Sequence, residues 1–350
     1  MTATGVAGGW LTGFGSAGLE DLVMLVIDEL DDTTIERAGA VMAREHAAAR
    51  QERPELPADF ENAQTCAAAL QRLRDADHRG LVAAADGRTV AVIAAAAGEN
   101  ATGRYARLPA EGFAADPDLA DPTRVLAAAF GDLAAPLIAD GVLRHYLVHT
   151  ALPNLGEALS NLGFGRDGAY GVQPAVARPG TSAVAVRIAG AENLDTIARL
   201  ALVEIRHRST APMFAPYGEP LLAELAATHN ALRDSGAVHL LATLGRRDVG
   251  LLTIELTSPV PRLCPDGQPY IGPTATLPDA RGQGVGRALV DAALTWAHDH
   301  DYTSISVDFA TANPLSRPFW LRAGFRPVGY GVLRLIDAGA TSQSAHPRSN

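Results

Sequence analysis

Between Pro278 and Leu289 the chain reads Pro-Asp-Ala-Arg-Gly-Gln-Gly-Val-Gly-Arg-Ala-Leu, which puts three glycines into five positions and brackets them with Arg281 and Arg287. Before it, Tyr270 to Leu277 carries the β-branched and aromatic residues of a strand. After it, Ala288, Leu289, Ala292, Ala293, Leu294 and Trp296 recur at helical spacing. A loop of Gly282, Gln283, Gly284, Val285 and Gly286 lets the backbone approach a ligand closely and leaves the first NH groups of the helix pointing outward. Those donors and the helix dipole favour phosphate, and the two arginines add positive charge. A plain strand-to-helix connection also places glycine at such a turn, so the loop alone leaves both readings open. The lysine of a P-loop is missing, and the glycine spacing is not that of a dinucleotide fold.

Arg-x-x-Gly-x-Gly resembles the pyrophosphate-binding motif of the GNAT superfamily of acyl-CoA-dependent N-acyltransferases. The resemblance extends to Asn313 and to Phe319-Trp320-Leu321-Arg322-Ala323-Gly324-Phe325, similar to that family's later cofactor-side helix and its closing turn. It implies an α/β (α+β) fold with a mixed, mostly antiparallel sheet flanked by helices. It implies acetyl-CoA as co-substrate and transfer of an acetyl group to a primary amine of a small molecule or peptide. The pantetheine arm of the cofactor would pair with the backbone of Thr274, Ala275 and Thr276, and Asn313 would contact that arm. Beside Pro314, Asn313 also reads as an ordinary helix cap.

Acyl transfer to an amine needs a deprotonated nucleophile, a polarised thioester carbonyl and a proton for the leaving thiolate. For the base the resemblance points first to Glu255, late in a strand on the acceptor-facing side, with Asp308 and His207 as runners-up. An isolated carboxylate near a strand end reads equally as a solvated surface residue. Trp320 stands where many relatives carry a tyrosine proposed as the thiolate's proton donor, and an indole NH cannot serve as that acid. Ser316 or a water substitutes, or the thiolate leaves unassisted. Phe319 and Trp320 then wall the pantetheine channel or pack the last helix onto the sheet. His207 and Tyr217 flank a proline-containing connection where relatives shape the acceptor pocket. A non-catalytic acyl-CoA sensor or scaffold would keep the same glycine loop, and the tandem layout described next also admits a relative of mycothiol synthase.

The elements that must position these residues occur twice. Leu162-Gly163-Phe164 and Ala323-Gly324-Phe325 close similar helical turns 161 positions apart, and Leu30 to Ile35 matches Leu194 to Ile197 at nearly that offset. The first copy reads as a strand at Leu22 to Leu30, helices at Thr33 to Arg50 and Ala58 to Asp77, and a hairpin from Gly80 to Ala97 turning at Asp86-Gly87. A helix at Pro122 to Asp140, a strand at His145 to Thr150 and a helix at Asn154 to Leu162 follow. The second copy repeats the order with a strand at Ala183 to Ile188, helices at Leu194 to Arg206 and Glu219 to Ser235, and a hairpin of Val238 to Leu244 with Gly250 to Leu256. Shifting the glycine loop back by 161 positions lands on Ala120 to Leu126, where every glycine is gone and Asp121 stands instead. That copy is degenerate. The expected division is a flexible leader at 1–18, a degenerate GNAT-like domain at 19–172, a linker at 173–182, a GNAT domain with the acyl-CoA site at 183–337 and a disordered tail at 338–350.

A chain of 350 residues with 47% hydrophobic content can supply two cores. Its net charge of -10, with no lysine and 29 scattered arginines, excludes a nucleic-acid-binding stripe and suits a cationic small molecule. Cys66 and Cys264 are too few for a disulfide framework, and no cluster of Cys, His and carboxylates has metal-ligand spacing. No apolar run approaches the roughly 20 residues needed to cross a bilayer. No signal-peptide pattern opens the chain. A cytoplasmic monomer or homodimer, without metal, membrane or nucleic-acid partner, is the expectation.

Overall fold

A computed structural model describes residues 24–100, 103–178, 184–215 and 220–339. The first half runs β1 (Leu25–Glu29), α1 (Ile35–Glu52), α2 (Ala63–Asp75), β2 (Arg79–Ala85), β3 (Arg88–Asn100), β4 (Gly103–Leu108), β5 (Phe113–Ala115), α3 (Thr123–Ala139), β6 (Arg144–Thr150), α4 (Pro153–Asn161) and β7 (Gly165–Pro174). The second runs β8 (Ala185–Ile188), α5 (Leu194–Arg208), α6 (Leu222–Asp234), β9 (Val238–Leu244), β10 (Arg247–Glu255), β11 (Tyr270–Thr276), α7 (Val285–Asp299), β12 (Ser304–Ala310), α8 (Ser316–Ala323) and β13 (Arg326–Leu335).

Alternation along the strands sorts side chains between two helical layers. In β2 and β3, Leu81, Ala83 and Ile93 enter the core under α3 and α4, whereas Val82 and Val92 enter the one under α1 and α2. In β9 and β10, Leu240, Ala242, Leu252 and Ile254 face α7 and α8, and Leu241 and Leu251 face α5. The two copies close their last short helices alike, at Gly163 with φ 80° and Gly324 with φ 109°, a left-handed turn that a β-carbon would strain.

The thirteen strands form one mostly antiparallel sheet in the order β1-β2-β3-β4-β6-β13-β7-β12-β11-β10-β9-β8, with β5 on β3. Among the described residues, only β4 with β6 and β11 with β12 pair in parallel. Read inward from either edge, each half contributes five consecutive places and then receives the other half's final strand. β13 lies against β6, while β7 lies against β12. Chain order and sheet order therefore part company: the division into 19–172 and 183–337 follows the sequence, but β7 is built into the second half.

Several expected boundaries move. Gln173 and Pro174 are strand residues pairing with Ile305 and Ser304, so the expected linker at 173–182 opens with the end of β7. The helix expected at Ala58 to Asp77 breaks at Asn62, whose side chain accepts from the NH groups of Gln64 and Thr65 and starts α2 afresh. Strands β4, β5, β7 and β13 were not expected from periodicity. The leader at 1–18 and residues 340–350 of the tail lie outside the described residues.

The two halves also interlock through the connection between β10 and β11. Val260, Leu263 and Cys264 enter the first half's core. Arg262, fully buried, donates through Nη1 to the carbonyls of Ala110 (2.7 Å) and Phe113 (2.6 Å) and pairs through Nη2 with the Glu45 carboxylate. Glu45 in turn accepts from the Thr150 hydroxyl.

Candidate functional site

β11 and β12 begin together, with Tyr270 opposite Ser306 and Ile271 opposite Val307, and then separate: from Gly272 onward β11 has no partner on that side. The parting opens a cleft of about 1660 Å³ floored by β11 and β12 and closed at its sides by α5, α7 and α8. At one end lies the glycine loop. Gly282 (φ 77°) and Gly284 (φ 83°) are left-handed, so the chain turns sharply into α7, whose first turn has no side-chain cap. A free helix start with exposed loop glycines is an anion-binding geometry. On the opposite strand, Gly250 allows β10 to approach the helix, since a β-carbon there would meet Val285 and Leu289.

Thr274, Ala275, Thr276, Arg281, Gly282, Gly284, Val285, Gly286, Arg287, Asn313, Ser316, Phe319 and Trp320 all line this cleft, as do Glu255, Asp308 and His207 toward the other end. Gln283 does not; its amide donates to the Asp279 carbonyl instead. Tyr217 lies outside the described residues. Arg287 is engaged with Asp291 one turn along α7, at 2.8 Å. Asn313 caps α8, its Oδ1 accepting from the NH groups of Leu315 and Ser316, so the ordinary reading of that residue is realised at the cleft wall. Phe319 rests on Gly286, where a β-carbon would lie 3.2 Å from its ring. Trp320 is buried edge-on to Phe325 as part of the core.

The other end is acidic. Glu255 closes β10 half-buried, paired across the sheet with Tyr270, and its carboxylate lies over Gly272, where a β-carbon would run into Oε1. Burial, and then the charge of Asp308, raise its pKa above the ordinary carboxylate value. Asp308 alternates with core residues Val307 and Phe309, so it projects from the opposite face, where Tyr270 Oη donates to its Oδ1 at 2.5 Å. From α5 come His207, whose Nε2 is buried without a hydrogen-bond partner among the described residues, and Glu204, 3.7 Å from Arg208. Burial raises the Glu204 pKa, opposed by Arg208 and reinforced by Asp308.

Sequence reasoning missed Tyr270 as a site residue, along with Gly272, Glu204 and the first-half residues Arg144, Tyr146, Asp167 and Gly168 that complete the lining of the cleft. A glycine followed by proline inside a strand, Gly272-Pro273, was the available signal for a local break. Nothing local marks Asp167, which arrives only because β7 crosses over.

The equivalent gap in the first half, between β5 and β6, is filled by Phe113, Leu126, Phe130, Leu147, Leu159 and Phe164. At the start of α3, the Thr123 NH donates to Asp121 Oδ1 at 2.8 Å. A carboxylate thus takes the first NH group of α3, whereas the start of α7 has no side-chain cap.

Among the described residues no three His, Cys, Asp or Glu side chains are placed to hold a metal, and no helix is long and apolar enough to cross a membrane. Residues 202–325 match the acetyltransferase (GNAT) family. No curated protein matches the chain. Solved structures similar to it include a GCN5-related N-acetyltransferase from Sphaerobacter thermophilus (14% identity, 88% of this chain and 94% of that one, TM-score 0.56). A tandem GNAT protein from the clavulanic acid biosynthesis pathway is 15% identical over 90% of this chain and 99% of its own, with a TM-score of 0.51. These likenesses show a shared fold.

Proposed function

We propose that this tandem GNAT protein, whose family domain spans residues 202–325, is an acetyl-CoA-dependent N-acetyltransferase acting on a primary amine of a small, cationic molecule or peptide. One active site, in the second half, carries the activity. The observation behind it is the contrast between the copies: the second has an open cleft leading to a glycine-lined helix start, whereas the first has the same gap packed with apolar side chains and an aspartate at the helix start.

Acetyl-CoA supplies a thioester whose acyl carbon is the electrophile. The NH groups of 284–287 and Arg281 hold its pyrophosphate. The unpartnered edge of β11, from Gly272 to Thr276, offers backbone groups to the pantetheine amides. Glu255 takes the proton that makes the amine nucleophilic; the new N–C bond forms as the C–S bond breaks, and Ser316 or a water returns a proton to the thiolate sulfur. Trp320 cannot supply that proton. The cytoplasm suits two buried, unpaired cysteines.

Titration calorimetry with acetyl-CoA, followed by thiol release with a panel of amines, tests the proposal. One site per chain and amine-dependent thiol release are expected. Two comparable sites overturn the single-site assignment, and binding without thiol release for any amine points to an acyl-CoA sensor.

A further inference from the structure

A primary amine reaches an enzyme near neutral pH as an ammonium ion, yet it reacts only as the free base. One group must receive a cation and one must take a proton. Of the four carboxylates that line the cleft among the described residues, Glu255 and Asp308 differ most in how they are held. Glu255, half-buried, rests over the bare backbone of Gly272. Asp308 is exposed in the cleft, and one of its oxygens is fixed by the Tyr270 hydroxyl at 2.5 Å.

Tyr270 is 5% exposed and sits where β11 and β12 are still paired, so its ring cannot swing. Its phenol is no proton source: burial first, and the charge of Asp308 second, push its ionisation far above the ordinary range. A buried phenol that keeps its proton is a fixed donor. Here it satisfies Asp308 Oδ1 and leaves the other oxygen available to a cation.

We propose that Asp308 receives the acceptor's ammonium group, that Tyr270 is the positioning residue that fixes this carboxylate, and that Glu255 then takes the proton. The assignment rests on the acyl-transfer function proposed above. The field around Asp308 supports it. Glu204 on α5, Asp167 on β7 and Glu255 on β10 all feel the charge of Asp308, Arg208 on α5 opposes the effect on the first two, and His207 on α5 and Arg144 on β6 line the same cleft. Arg208 lies 3.7 Å from Glu204. The balance of charge is negative, as a site for a cation requires.

The test compares wild type with Tyr270→Phe and Asp308→Asn. Thiol release from acetyl-CoA is measured near neutral pH with butylamine, an ammonium ion, and with 2,2,2-trifluoroethylamine, a much weaker base of similar compactness. In both variants the ratio of kcat/KM for butylamine to that for trifluoroethylamine should fall by about tenfold or more, the scale of a lost hydrogen bond to a charged group. Acetyl-CoA affinity should hold in calorimetry. A purely structural role depresses both amines together, and an unchanged ratio overturns the proposal while leaving acyl transfer standing. Absence of thiol release by wild type with these two and with every other amine of the panel overturns both. Asp308→Asn, at an exposed position, keeps the comparison decisive even where Tyr270→Phe unfolds.

Discussion

Arg262→Met should destabilise the whole chain and loosen the acceptor pocket together. The guanidinium is fully buried and satisfies the carbonyls of Ala110, Phe113 and, at 3.3 Å, Met42, besides pairing with Glu45. Removing one partner of a buried pair costs about 3–5 kcal/mol, and the stranded carbonyls add to that, so about 5 kcal/mol is a fair expectation. At roughly 2.1 cal/mol/K of unfolding entropy per residue, a chain of this length carries about 0.7 kcal/mol/K, which turns 5 kcal/mol into a Tm lower by about 7 °C. Glu45, whose carboxyl burial already raises, then lacks the cation opposing that rise. A carboxyl whose folded pKa exceeds its unfolded value contributes stability below the unfolded pKa and loses it as pH climbs through the folded one, so the deficit should deepen as pH rises above the ordinary carboxylate range. Adding Glu45→Met should recover much of the loss. Because Thr257, Ser258 and Pro259 of the same connection line the cleft, KM for the acceptor should rise while acetyl-CoA affinity holds. Differential scanning calorimetry across pH and steady-state thiol release provide the readouts. A single variant within about 2 °C of wild type above neutral pH would refute the claim that this ion pair joins the halves.

Gly284→Asp should abolish acetyl-CoA binding in calorimetry, since a side chain and a negative charge would enter the turn with φ 83°, whereas Asp121→Ala in the closed copy should leave affinity unchanged. Glu255→Gln should slow acetyl transfer by about 10²-fold with cofactor affinity intact, and Gly272→Ala should act in the same direction by displacing that carboxylate. Because the Glu255 pKa is raised and the base must be ionised, the acid limb of kcat/KM should lie above the ordinary carboxylate range and vanish in Glu255→Gln. Residues 180–350 expressed alone should be aggregation-prone or impaired toward the acceptor, because β12 loses β7 as its neighbour.

Local chemistry made much of this legible. Glycines at 282, 284 and 286 specify their own turn and the helix after it, and the doubled Gly-Phe turns at 163 and 324 disclosed the duplication. Glu255 stood out through the resemblance, which places the end of that strand on the acceptor-facing side of the sheet. What a sequence hides is pairing. Alternation in β7 fixes which side chains share a face, but β7 can lie beside β6 or β12 with the same pattern, and so Asp167 and Gly168 had no reason to be placed in a cleft 100 positions further along. The short, interrupted pair β4 and β5 escaped for a related reason. At its break, from Pro109 to Gly112, the Ala110 carbonyl accepts from Arg262, which comes from the other half.

The exchange of closing strands bears on how the chain is made. A ribosome releases β6 and β7 roughly 150 residues before β13, the strand that lies between them, and at about 5–20 residues per second the slot stays open for roughly ten to thirty seconds. During that interval the nascent first half presents three unpaired strand edges, one on β6 and both on β7, which also waits for β12, to its surroundings, including neighbouring chains on the same message. Charged residues along the waiting edges, such as Asp167 on β7 and Arg144 on β6, are then as much a safeguard during synthesis as a part of the finished pocket.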